Sequence, residues 1–128
     1  MKYLLDTHTL LWIVEDSEKL GEKAKQLYLD NSNDIYLSIA SLWEMAIKIS
    51  IKKLDIQLSL SKFVEKHILG NNIQLLNIMV EHVSPLETLP FHHRDPFDRI
   101  IISQCIQEKM ALISKDRTFD AYQIERIW

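Results

Sequence analysis

Four acidic residues, Asp6, Glu44, Asp98 and Asp116, stand where a carboxylate can do more than solvate a surface. Asp6 follows the apolar run 3–5, Glu44 opens the helical segment after the run 35–38, Asp98 lies in the first turn of a helix begun by Pro96, and Asp116 comes just after the run 111–114. Asp98 precedes Ile101 and Ile102 by three and four residues, on the apolar face they share with Cys105 and Ile106, so its carboxyl should point inward. Inward carboxylates repel one another and resist ionisation unless a cation sits among them. The chain has no glycine-rich phosphate loop, no His-Glu-x-x-His spacing and no zinc-type cluster of Cys or His. Oxygen ligands remain, and these suit magnesium or manganese. Such an ion can deprotonate a water, align it with a phosphodiester and stabilise the attacking and leaving oxygens, so the expected chemistry is hydrolysis of a nucleic-acid backbone.

Each acid also has a purely structural reading. Ser41-Leu42-Trp43-Glu44 matches a capping box, with the serine as cap and the glutamate reaching back to the first amide. Asp95-Pro96 reads as a cap followed by proline at the first helical position, which leaves Asp98 complementing the helix dipole. Asp116 would cap a short helix from Arg117, and Asp6 a helix over residues 9–14. Spacing alone leaves both readings open.

The elements that must position these acids follow from an alternation of short apolar runs with longer segments of helical period. Strands are predicted at 3–5, 35–38, 75–79, 111–114 and 125–128, with helices between them. That order implies an α/β fold with a mainly parallel central sheet covered on both faces, and in such sheets ligands collect at the carboxyl ends of the strands. At 128 residues and 47% apolar, the chain reads as one domain over 1–128, and two glycines and three prolines leave little for linkers. Cys105, the single cysteine, lies in an apolar run and reads as a reduced, buried thiol. Asp6 and His8 interrupt the opening apolar stretch, and neither a cleavage site nor an apolar span of ~20 residues follows, so a cytoplasmic protein with no membrane partner is expected. The net charge of -3 is unusual for a sequence-independent nucleic-acid binder. Cations held by the acids would offset it locally, and Lys48, Lys52, Arg94, Arg99, Lys115 and Arg117 lie near them in sequence.

Four segments, LLDTHTLLW (4–12), SIASLWEMAIK (38–48), HHRDPFDRIIISQC (92–105) and LISKDRTFDAY (112–122), resemble the VapC toxins, a family of PIN-domain ribonucleases. The resemblance spans nearly the whole chain and implies a PIN-like three-layer fold. It further implies an endoribonuclease that uses Mg2+, with Mn2+ able to substitute, and that acts on structured RNA such as tRNA. A cognate VapB-like antitoxin would hold it inactive, and the toxins of this group are generally homodimers. Residue by residue, the family's catalytic and metal-binding acids fall on Asp6, Glu44, Asp98 and Asp116. Asp95 and Ser114 fall on supporting places, Ser114 being a hydroxyl that can orient the acids. His8 stands where many relatives carry a smaller polar residue; phosphate binding, proton shuttling and a hydrogen-bonding support are all open to it, the support being favoured. Asp120 lies past the fourth motif position. His92, His93 and Arg94 read either as phosphate contacts or as a polar loop before a helix.

In the segment after residue 38, Leu42, Met45, Ala46 and Ile49 form a core face, while Trp43, Ile47 and Ile51 make a second apolar stripe. The stripe marks either deep burial or an interface for an antitoxin or a second subunit. Two rival functions share part of this pattern. A phosphatase of the haloacid dehalogenase type also places aspartate after the first strand, but His8 stands where its second aspartate is needed. A non-catalytic RNA-binding or scaffolding module would be expected to have lost one or more of the four acids, and all are present.

Overall fold

The computed structural model describes residues Met1–Trp128. Five strands form one sheet in the order β3-β2-β1-β4-β5, and every neighbouring pair is parallel. They are β1 (Lys2–Leu5), β2 (Asp34–Ser38), β3 (Gln74–Leu76), β4 (Ala111–Ile113) and β5 (Arg126–Ile127). All five predicted strands are present. β3 is shorter than expected because the chain leaves the sheet before Met79, which precedes a short helix, α5 (Val80–Val83). The other helices are α1 (Thr7–Val14), α2 (Glu22–Leu29), α3 (Ile39–Ser50), α4 (Leu60–Phe63) and α6 (Pro96–Glu108). α4 runs on through a wider turn, Val64–Ile68, and a tight one, Leu69–Asn71.

Alternation along β1 splits the core into two layers, since successive side chains leave a strand on opposite faces. Tyr3 and Leu5 join Leu10 of α1, Ala24 of α2, Phe63 of α4 and Ile68. Leu4 faces the other way, onto Ile101, Ile102 and Cys105 of α6. The result is the three-layer α/β arrangement expected, with a sheet that is parallel throughout. Cys105 is 1% exposed and unpaired, and burial pushes its thiol well above the usual range, as a reduced core cysteine requires. No helix is long and apolar enough to cross a membrane.

Two element starts differ from the sequence reading. α3 follows β2 with no loop, capped by Ser38, whose Oγ accepts from the Ala40 amide at 3.0 Å. Ser41 therefore lies inside the helix, its buried Oγ without a partner, and the predicted capping box does not form. Glu44 is consequently in the second turn rather than at the helix start, and its carboxylate is free for other partners. α1 likewise begins at Thr7, two residues early, with Asp6 as its cap.

Candidate active site

The parallel register sets the carboxyl ends of β1, β2 and β4 side by side, and the chain turns there into α1, α3 and a short turn, Arg117–Ala121. Asp6, Glu44, Asp98 and Asp116, separated by as many as 110 residues in sequence, line one cleft of about 180 Å³ with Thr7, His8, Lys48, Asp95 and Phe119. Larger hollows exist elsewhere, including one of about 610 Å³ between the starts of β2 and β3, but that hollow holds no comparable set of acids.

Each acid is fixed differently. Asp6, 8% exposed, divides its oxygens: Oδ1 accepts from the Thr9 amide at 2.8 Å, and Oδ2 accepts a short bond from the Ser114 hydroxyl. The cap predicted for Asp6 thus forms on one oxygen, and the other is held by Ser114. Ser114 in turn accepts from the Asp116 amide at 3.1 Å, so one buried hydroxyl ties the ends of β1 and β4 together. Glu44 accepts from Thr7 Oγ1 at 2.7 Å and faces Lys48 Nζ at 3.0 Å. Asp116 caps the turn after β4, accepting from the Thr118 amide at 2.9 Å, while its Oδ2 meets His93 Nε2 at 3.1 Å. Asp98 makes none of these bonds. Its position in the first turn of α6 aims it into the cleft, and Asp95 does the capping, accepting from the amides of Phe97 and Asp98.

These differences appear in the acid–base behaviour. Burial, then the charge of Asp95, push Asp98 up to about 7, with Glu44 and Asp6 adding to the shift and His93 opposing it. Partial burial works to raise Asp116 too, but the Thr118 amide and His93 outweigh it and hold this acid below the usual carboxylate range. The cleft therefore holds two carboxyl groups driven apart, one reluctant to ionise and one held ionised.

Of the residues expected to support the acids, Ser114 takes that place. Asp95 lines the cleft but spends its carboxylate on the helix cap. His8 is exposed, rests on Trp12 with ring centroids 5.9 Å apart, and makes no hydrogen bond to the acids. Asp120 lies outside the cleft, bound to Arg126 at 2.8 Å. The histidine that does the supporting is His93. It is 7% exposed and stacked between Phe119 and Tyr122, which rules out the free phosphate contact weighed for it. Nε2 is the ring nitrogen that meets the carboxylate, and the buried Nδ1 has no partner.

A buried arginine holds His93 there. Arg99 is 6% exposed, has no carboxylate partner, and donates to four carbonyl oxygens, those of Leu86, Leu89, Pro90 and His93, at 3.0 to 3.4 Å. Phe91 covers its guanidinium at 3.9 Å. The Tyr122 hydroxyl completes the clamp by accepting from the amides of His92 and His93 and donating to Pro90 O. No local sequence pattern marks Arg99 or Tyr122, because their partners belong to an irregular segment, residues 86–93.

As the side chains stand, no three carboxyl, imidazole or thiol groups are drawn together around one point. Magnesium, however, is commonly held by one or two carboxylates and several retained waters. The cleft is far larger than the ~15 Å³ one water needs, its acids offer only oxygen, and Asp98 lacks a protein partner. The residues fit a hydrated hard cation.

Replacement Ser114→Ala should cost about 1–2 kcal/mol, since it leaves the buried Asp6 oxygen without its donor. Any metal-dependent activity should fall about 10–100-fold, the range for losing a group that orients a ligand. Thermal melts and cleavage rates on the purified variant check both figures, and unchanged activity would remove Ser114 from the site.

Sheet and cleft together define an α/β protein that gathers carboxylates at the carboxyl edge of a parallel sheet. The model of the PIN domain matches residues 3–125, and the chain belongs to the PIN domain family. No curated protein matches it by sequence. Among solved structures, it is similar to VapBC2 from Rickettsia felis bound to a promoter DNA fragment, at 15% identity and a TM-score of 0.70, covering 99% of this chain and 98% of that one. It is similar to FitAcB from Neisseria gonorrhoeae, at 17% identity and a TM-score of 0.69, over 98% of this chain and 96% of that one. VapC20 from Mycobacterium tuberculosis, a toxin that cleaves the sarcin-ricin loop, aligns at 11% identity and a TM-score of 0.68 over 95% of each chain.

Proposed function

We propose that this chain is a metal-dependent endoribonuclease toxin of the VapC kind, using Mg2+ or Mn2+ to hydrolyse phosphodiester bonds in structured RNA such as tRNA. One observation carries the proposal: acids from four separate segments line one cleft, and burial and neighbouring charge raise Asp98 to about 7, leaving a place for a cation. Asp6, Glu44, Asp98 and Asp116 would hold the ion, which when bound supplies an activated water and neutralises charge on the phosphate. The chain's own residues do the positioning. Ser114 orients Asp6, Thr7 and Lys48 orient Glu44, and His93 orients Asp116.

Partners follow the same reading. Trp43 and Ile47 on α3 and Ile51 just past its end are 60%, 39% and 53% exposed, so the second apolar stripe is a surface rather than core. An apolar strip of this kind, beside the cleft-lining Glu44 and Lys48, suits a VapB-like antitoxin or the second subunit of a homodimer. Similarity to a toxin-antitoxin complex from Klebsiella pneumoniae, at 18% identity and a TM-score of 0.62, supports the antitoxin.

Purified, antitoxin-free protein incubated with total bacterial RNA should give discrete fragments with Mg2+ or Mn2+ and none with chelator. Asp6→Asn should abolish them while remaining folded by circular dichroism. Folded protein that cleaves nothing with either metal would replace this reading with that of a non-catalytic RNA-binding module.

A further inference from the structure

Although the chain carries a net charge of -3, its cations are not evenly spread. Lys23 of α2, Lys115 and Arg117 after β4, and Arg126 of β5 line one hollow of about 580 Å³ with Ile127 and Trp128, and no acid lines it. Lys115 also lines a recess of about 220 Å³ with Asp6, His8, Trp12 and Asp116, and so stands between the hollow and the acidic cleft. Arg126 is held in place from outside, by Asp120 and by its own bond to Ser114 O. Lys23, Lys115 and Arg117 have no ion-pair partner and are exposed.

Aromatic rings mark the same path. His8 rests on Trp12, and Trp12 meets Trp128 edge-on at 5.6 Å, so a row of rings leads from the recess to the hollow. The Trp128 indole is itself seated on Gly21, where a Cβ would lie 2.9 Å from its Nε1. Cations that follow a backbone beside rings that accept bases are the two components of a single-strand nucleic-acid track. A duplex would use the cations but hide its bases from the rings.

Resting on the ribonuclease reading, we propose that this hollow is a subsite for the unpaired stretch of RNA flanking the scissile phosphate, with Lys23, Lys115 and Arg117 on phosphates and Trp12 and Trp128 against bases. Binding would then depend on salt, with log K falling by about 0.7 per phosphate neutralised for each unit of log salt. The test measures anisotropy of a labelled RNA decanucleotide, kept intact by chelator, across a salt series. Lys23→Ala/Arg117→Ala should bind at least about tenfold more weakly at low salt, with a slope shallower by about 1.4. Lys62→Ala/Lys66→Ala, exposed around α4 and outside the hollow, should match the unsubstituted protein. The oligonucleotide should quench tryptophan fluorescence, and the quench should shrink in Trp12→Phe.

If the unsubstituted protein cleaves RNA but the Lys23/Arg117 variant keeps the same slope and the same KM, the subsite is overturned while the ribonuclease stands. Competition by a glutamate-rich peptide but not by oligonucleotide would also overturn it, in favour of a protein ligand. Failure of the unsubstituted protein to bind or cleave any RNA would overturn both readings together.

Discussion

At pH 7.5 in chelator, Asp98→Asn should melt about 4–8 °C above the unsubstituted protein while its metal-dependent cleavage falls by at least about a hundredfold. The stabilisation follows from the direction of the shift. In the unfolded chain this carboxyl titrates near its ordinary 3.8, whereas in the folded chain it holds its proton to about 7. Between those values the folded state binds more protons than the unfolded one, so stability falls as pH rises through that window and stays lower above it. Three pKa units correspond to about 4 kcal/mol, and water reaching the cleft screens this to about 1–2 kcal/mol. Asparagine keeps the shape and removes the charge, so the variant should lose that part of the pH dependence. Magnesium should raise the melting temperature of the unsubstituted protein much more than that of the variant, because only the former gains a ligand for it. A variant that melts below the parent in chelator, or that cleaves at the parental rate, would contradict the role assigned to this acid.

Arg99→Met is expected to be the most damaging single change outside the acids, costing about 3 kcal/mol and melting about 10 °C lower. Removing the guanidinium leaves the carbonyls of Leu86, Leu89 and His93 without their donor, leaves Pro90 O with the Tyr122 hydroxyl alone, and takes away the surface on which Phe91 lies. Lysine keeps the charge but cannot present five donors in one plane, so Arg99→Lys should fall between the two. Activity should drop further than stability predicts, since the freed segment carries His93 away from Asp116. Urea melts beside cleavage rates measured well below the melting temperature separate the two effects. A methionine variant as stable as the parent would show that water satisfies those carbonyls and that Arg99 is not a clamp.

Much of the architecture was legible in the sequence. Strand positions follow from short apolar runs, and the parallel α/β order follows from the helical segments between them. Boundaries were less so, for reasons particular to this chain. With two glycines in 128 residues, left-handed backbone falls on other residues: Lys109 ends α6 at φ 56° and Asn72 ends the turn after α4 at φ 58°. The usual glycine stop is therefore missing. The start of α3 was misplaced because Ser41-Leu42-Trp43-Glu44 fits a capping box locally, whereas the hydrogen bond that forms is the one from Ser38 at the strand end.

For the site, the four acids could be named from residue type and place, because carboxylates at strand ends, with no other ligand chemistry in the chain, narrow the possibilities to few. Their inequality could not. That Asp98 is raised and Asp116 lowered depends on which groups burial brings beside each, and those groups come from opposite ends of the chain. The same holds for His93, which is one of two adjacent histidines in a polar stretch until Arg99 and Tyr122 fold residues 86–93 against Asp116. Sequence by itself determined the element order and the apolar faces and singled out the four acids as candidates, since these rest on local periodicity and side-chain chemistry. Only the tertiary structure decided which polar group answers which, because hydrogen-bond partners and desolvation are set by distances that no local pattern encodes.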